Sequence, residues 1–160
     1  MSRINIYTDG AAKGNPGPGG YGVILEYKEH SKELSSGFRL TTNNRMELLA
    51  VIVGLEAIKE PKQIIMVYSD SKYVVDAINK GWVFEWEKKK YKKKKNPDLW
   101  KRFLLIYREH KVSLTWIKGH AGHAQNERCD QLAVVAANSN NLPIDIGYEN
   151  TQNIQKNLFD

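Results

Sequence analysis

The stretch "RINIYTD" (3–9) alternates, with Ile4, Ile6 and Thr8 on one side, and predicts a strand. Residues 21–28, "YGVILEYK", have strand-like composition, and 34–41, "LSSGFRLT", form a weaker candidate. Turn residues between the three favour an antiparallel meander. The period then changes. "NRMELLAVIVGLEAIKE" (44–60) has helical spacing, a broad apolar face, and Glu56, Lys59 and Glu60 outside it, with Pro61 as the stop. "QIIMVYSD" (63–70) is a continuous apolar run that suits a central strand buried on both faces. A short helix is expected over 71–79, an amphipathic helix over 96–111, a strand over 112–117 and a last helix over 124–139. The final twenty residues are asparagine-rich and poorly patterned, and are expected to be loosely held. The order β-β-β-α-β-α-α-β-α predicts an α/β fold with a mixed sheet. In it 63–70 lies parallel to 3–9 through a right-handed crossover.

The chain of 160 residues, 41% of them hydrophobic, suits one domain with a real core, and no internal repeat divides it. Cys129 is the single cysteine, which excludes an intramolecular disulfide and fits a reducing, cytoplasmic setting. The strand pattern begins at once, so no signal peptide is expected, and no apolar run approaches a membrane span. The net charge of +6 is misleading. Residues 88–95, "KKKYKKKK", hold seven lysines. Without them seventeen basic residues face eighteen acidic ones, a net charge of −1. The body is nearly neutral and carries one concentrated positive patch, so polyanion binding is expected to be local to it.

Candidate chemistry lies in the acids. Two predicted strands end in Asp9 and Asp70, and parallel neighbours would bring both to one sheet edge, where open sheets bind ligands. Glu47, in the first turn of its helix, shares a row with Ala50, Val51, Gly54 and Ile58 that should face the sheet. On the last helix Asp130 shares a row with Ala133, Val134 and Ala137, and Glu127 competes with it for the same place. Four converging carboxylates repel one another and need cations, and hard divalent ions with oxygen ligands are the natural choice. Taken singly, each acid reads as a helix cap or surface residue; Asp70 in particular could cap the helix after it.

The stretch from Thr8 to Gly22, "TDGAAKGNPGPGGYG", meets the spacing G-x-G-x-x-G at Gly17, Gly19 and Gly22. A dinucleotide site needs a helix after such a turn, but here Pro16 and Pro18 interrupt it and a strand-like segment follows. It reads instead as a tight, backbone-rich turn that nucleic acid could approach closely.

Five stretches together, "YTDGAAKGNPGPGGYG", "TTNNRMELLAV", "VYSDSKYVVDAI", "GWVFEWEKKK" and "WIKGHAGHAQNERCDQLA", resemble the type 1 ribonuclease H family of bacteria (ribonuclease HI). The resemblance runs from about Arg3 to Tyr148 and includes the late "DIGYE". It implies a ribonuclease H-like fold over 1–148: a five-stranded mixed sheet flanked by helices, with a basic protrusion at 81–100. Residues 149–160 would then form a C-terminal tail.

The implied activity is endonucleolytic hydrolysis of the RNA strand of an RNA–DNA hybrid, leaving 5′-phosphate and 3′-hydroxyl ends. Two Mg²⁺ ions would serve it, with Mn²⁺ as a substitute. The metal-binding acids of the family fall on Asp9, Glu47, Asp70 and Asp130, which decides for Asp130 over Glu127. Asp9 and Asp70 would contact both ions, Glu47 the ion on the leaving-group side and Asp130 the ion that activates water. The catalytic histidine falls on His120, in the glycine-flanked loop "GHAGH". Without the resemblance, His120 and His123 would read as loop histidines, since too few further nitrogen or sulfur ligands lie near for zinc.

The resemblance also places Asn15, Asn43 and Asn44 on the RNA strand. Lys88, Lys89 and Lys90 would grip phosphates, mainly of the DNA strand, with Trp82 and Trp86 against its sugar–phosphate chain. Trp100 and Trp116 are expected to be packing residues. Lys72, just beyond Asp70, departs from the glutamine expected in bacterial relatives, and a cation there is expected either to hold substrate phosphate or to compete mildly with the metal. The lysine run is longer than the family leads one to expect, which favours tighter or less selective binding. A monomer without a protein partner or membrane is implied. Two rival readings are a nuclease of the same fold acting on DNA and a non-catalytic hybrid-binding module.

Overall fold

The structure, a computed structural model, describes residues 2–119 and 123–159. Five strands form one mixed sheet: β1 (Ile4–Ala12), β2 (Gly17–Tyr27), β3 (His30–Thr41), β4 (Ile64–Ser69) and β5 (Lys111–Trp116). The order across the sheet is β3-β2-β1-β4-β5. The first three strands form the antiparallel meander, while β4 and β5 run parallel to β1. Six helices complete the described residues: α1 (Asn43–Glu56), α2 (Lys72–Asn79), α3 (Trp82–Lys88), α4 (Pro97–Tyr107), α5 (Ala124–Ala137) and α6 (Ile146–Phe159). Among the described residues no helix is long and apolar enough to cross a membrane.

The two faces of the sheet are covered differently. Successive strand residues point to opposite faces. Ile6 and Val23 are fully buried towards α1, where they meet Gly54. Behind α1, Trp100, Phe103 and Leu104 of α4 complete the main core. On the other face Gly22 opposes α5 so closely that a Cβ would stand 2.3 Å from the Cys129 carbonyl oxygen, and at Gly20 it would stand 2.6 Å from that of Ala133. The glycine-rich stretch is therefore mostly strand: its turn is only 13–16, closed by the Lys13 N–H donating to Pro18 O at 2.7 Å. The glycines that follow let α5 lie flat on the sheet, with Cys129, Ala133, Ala136 and Ala137 buried beneath it.

Several expectations need correction. The helix predicted over 44–60 ends at Glu56: the Ala57 N–H makes the last α-type bond, to Val53 O at 3.0 Å, and the Ile58 N–H then tightens onto Leu55 O at 3.2 Å, three residues back. β4 is not buried on both faces. Its residues alternate, with Ile65 and Val67 in the core and Met66 and Tyr68 half-buried. Since α5 packs over β1, β2 and β3, β4 is left partly open, and Tyr68 stacks on Tyr7 there with centroids 4.9 Å apart.

The poorly patterned C-terminal segment forms α6. The Asp145 carboxylate starts it by accepting from the Tyr148 N–H at 3.3 Å, and Glu149 pairs with Arg39 at 2.8 Å. Asp145 is itself held by Arg45, only 3% exposed, whose Nε donates to it at 2.8 Å; the same guanidinium pairs with Asp98 at 2.8 Å. One buried cation thus ties together α1, α4 and the chain before α6.

Candidate active site

Each acid reaches the site from a different element. β1 continues to Ala12, but its pairing with β4 ends at Tyr7↔Tyr68, so Asp9 stands where the two parallel strands part. That is the crevice at the carboxyl ends of the strands. Asp70 directly follows β4. It does not cap α2: the Ser71 hydroxyl does, accepting from the Val74 N–H at 3.3 Å, and Asp70 lines the acid cavity instead. Glu47 sits one turn into α1, whose start is capped by Thr42 Oγ1 accepting from the Arg45 N–H at 3.2 Å. A Cβ on Gly10 would lie 2.4 Å from Glu47 N, so glycine lets β1 and α1 touch and brings Glu47 to the strand. The Gly10 N–H donates to Asp9 Oδ1 at 2.9 Å and to Glu47 Oε1.

Asp9, Glu47 and Asp70 each offer a carboxylate oxygen, and these oxygens lie within 4.8 Å of one another. Asp130 adjoins Asp9 from α5, and all four acids line a cavity of about 450 Å³. Glu127, its rival in the sequence, is exposed at the start of the same helix. Asp9 and Glu47 are only 7% and 5% exposed. Burial, followed by the charge of Asp9, raises the Glu47 carboxyl well above the usual range. Burial raises Asp9 to about 7, with the charges of Asp70 and Asp130 adding to it. The same burial pushes the Cys129 thiol up to about 12, and its Sγ donates to Tyr7 O at 3.3 Å. Carboxylates this close and this dry suit a shared divalent cation with oxygen ligands.

The rim holds some of the expected substrate residues and not others. Asn43 and Asn44 line the acid cavity, as does Lys72. Asn15 joins the turn to α1, its Oδ1 accepting from the Asn43 N–H at 3.1 Å. It lines a second cavity of about 580 Å³ with Asn44, Lys94, Lys95 and Asn96. Lys88, Lys89 and Lys90 stand exposed at the end of α3, Lys88 3.3 Å from Glu85. Trp82 is 45% exposed, with Lys80 Nζ 5.2 Å from its ring centroid. Trp86 is different: it packs edge-on against the fully buried Trp100 at 5.7 Å and belongs partly to the core.

Trp116 departs from its expected packing role. It is 42% exposed at the last residue of β5, while Leu114, two residues earlier on the same face, is buried. His120 lies outside the described residues. The loop before it reaches the site, since a Cβ on Gly119 would stand 2.8 Å from Asp70 Oδ2. Asn96 and Tyr73 were not singled out in the sequence. Asn96 donates to Tyr73 Oη at 2.9 Å and accepts from Arg45 Nη1 at 3.2 Å, which fixes the end of the lysine loop beside the groove. The signal available for Asn96 was its place before Pro97, which reads as a helix start and nothing more.

Comparison with known proteins agrees with this arrangement. A family model described as RNase H matches residues 1–138. A ribonuclease H of Desulforamulus reducens is 58% identical over 151 residues, covering 91% of this chain and 94% of its own length. A ribonuclease HI of Shewanella oneidensis is 55% identical over 154 residues, 93% of this chain and 96% of its own. Among solved structures, LC9-RNase H1, a type 1 RNase H with the type 2 active-site motif, superposes with a TM-score of 0.77 at 33% identity, covering 86% of this chain and 72% of that one. LC11-RNase H1 in complex with an RNA/DNA hybrid superposes with a TM-score of 0.63 at 28% identity, covering 84% and 96%. By its sequence, its sheet order and its relatives alike, the chain belongs to the RNase H family of endoribonucleases.

Proposed function

We propose that the chain cleaves the RNA strand of RNA–DNA hybrids internally, leaving 5′-phosphate and 3′-hydroxyl ends, with two Mg²⁺ ions held by Asp9, Glu47, Asp70 and Asp130. The observation that carries this reading is the set of three carboxylate oxygens within 4.8 Å of one another, drawn from elements far apart in the chain. Two of these acids are almost fully buried, and burying uncompensated charge is too costly to serve stability alone. The donors are all hard oxygens, which fits Mg²⁺ or Mn²⁺ and argues against zinc. When bound, such ions lower the pKa of water and screen charge building on the scissile phosphate.

The residues of the chain do the rest. In this reading Asp9 and Asp70 would hold both ions, with Glu47 reaching the cavity from α1 and Asp130 from α5. In this reading Glu47 serves the leaving-group side and Asp130 the side of the attacking water. Asn43 and Asn44 at the rim, with Asn15 beside them, supply amide groups for the 2′-hydroxyls that distinguish RNA from DNA. His120, which follows Gly119 in the chain, moves protons or assists product release. The lysines of 88–95 hold phosphates of the DNA strand, with the exposed Trp82 alongside. A relative solved with an RNA/DNA hybrid supports the choice of substrate.

The test uses labelled RNA–DNA hybrid, double-stranded RNA and double-stranded DNA, each with Mg²⁺, and the Asp9→Asn variant. Cleavage confined to the RNA of the hybrid, and lost in the variant, is expected. Cleavage of DNA, or activity retained by Asp9→Asn, would sink the proposal.

A further inference from the structure

Lys72 opens α2 two residues beyond Asp70 and lines the acid cavity. The ammonium of Lys72, an exposed residue with a flexible stem beside four acids, is free to swing in among them, drawn by a modest attraction at a solvated rim. It does not. Lys72 takes part in none of the ion pairs among the described residues. Its Nζ lies instead over the Trp116 ring, 4.7 Å from the centroid. The ring is anchored in turn. Trp116 pairs in register with Ser69 at the end of β5, and its indole Nε1 donates to Asp70 O at 3.1 Å. The aromatic face that receives the cation is thus tied to the backbone of a cluster acid, while 42% of the residue remains exposed. Core packing does not account for a half-exposed tryptophan in this position.

We propose that Trp116 is a positioning residue that holds the Lys72 ammonium off the carboxylates, keeping them free for the divalent cation. This rests on the metal reading given above. A lysine within the cluster would neutralise part of its charge and compete with the metal. A surface cation–π contact biases the side chain between the two places by about two- to fivefold. The design suits a chain with lysine at this position, because a neutral side chain there would need no such restraint.

The test is a mutant cycle read by calorimetric titration with Mg²⁺ alone and by melting of the metal-free protein at pH 8. It uses the full chain and the variants Trp116→Leu, Trp116→Phe, Lys72→Gln and Lys72→Gln/Trp116→Leu. Trp116→Leu should weaken Mg²⁺ binding by about two- to fivefold in the presence of Lys72 and leave it unchanged when Lys72 is glutamine. Trp116→Phe keeps a ring without the indole N–H and should stay within about twofold of wild type. Equal weakening in both backgrounds, no weakening at all, or a loss with phenylalanine as large as with leucine would each overturn the proposal. Absence of Mg²⁺ binding by the wild-type chain would instead bring down the metal reading, and the melts then decide this one. With Lys72 free to fall into the cluster, Trp116→Leu should cost less stability than it does beside glutamine; equal costs refute the restraint.

Discussion

Asp9 shows how one side chain sets conflicting demands. Its folded-state pKa of about 7 lies above the ordinary 3.8, so the folded chain binds its proton more tightly than the unfolded chain does. The stability this contributes is fully present below about pH 4 and is lost as pH rises through about 7. The metal-free protein should therefore melt at falling temperature between pH 5 and 8, and Asp9→Asn should flatten that slope and raise the melting temperature at pH 8. The protonation of Asp9 contributes at most about 4 kcal/mol in this way. Affinity for Mg²⁺ should change in the opposite sense, tightening as the acids lose their protons. Calorimetric melts and Mg²⁺ titrations across this range check both signs. Gly10 is as exacting as the acid beside it: Gly10→Ala would set a methyl into the Glu47 backbone, costing about 1–3 kcal/mol in urea unfolding and displacing Glu47 from the cluster.

At the scale of elements, the periodic segments were legible and the aperiodic ones were not. The spacing of 44–60 and the alternation of 3–9 placed α1 and β1 to within a few residues, although α1, held between the sheet and α4, is buried almost all round and shows no single apolar face. α6 carried no such signal, since it is held at its start by polar contacts and not by an apolar stripe. Arg45 is the hub of those contacts, and its charge is buried with Asp145 and Asp98 around it. Removing Asp145 leaves this charge to Asp98 alone, so Asp145→Ala should cost about 1–3 kcal/mol in urea unfolding. It should also loosen α6, read as faster amide exchange over 146–151. The sequence offered Arg45 only as a polar residue within a helical run, with nothing to distinguish burial from exposure.

Across the whole molecule, charge is divided between a nearly neutral body and the lysine run. The run leads into the groove where Lys94 and Lys95 face Asn15 and Asn44, so binding should be steeply salt-dependent and governed by that segment. With Lys92–Lys95 changed to glutamine, the slope of log KM against log salt should fall by up to about four, one phosphate contact for each charge removed. An unchanged slope would mean that the attraction resides elsewhere. The same layout separates affinity from chemistry, and the maximal rate at saturating substrate should change far less than KM.

The chain by itself determined the order of the five strands and of α1, α2, α4 and α5, the mixed sheet with β1 beside β4, and the four acids as candidates, since these follow from periodicity, from the handedness of crossovers and from motifs spaced along the chain. Which acids stand together was decided only in three dimensions. Gly10 lets α1 touch β1, the parting of β1 from β4 opens the crevice, and Gly20 and Gly22 let α5 bring Asp130 in while Glu127 stays outside. Trp116, assigned to packing on its residue type, became a half-exposed platform for Lys72 because the end of β5 lies beside the start of α2. Burial and proximity are properties of contacts between distant segments, and no local pattern encodes the distance at which those segments finally meet.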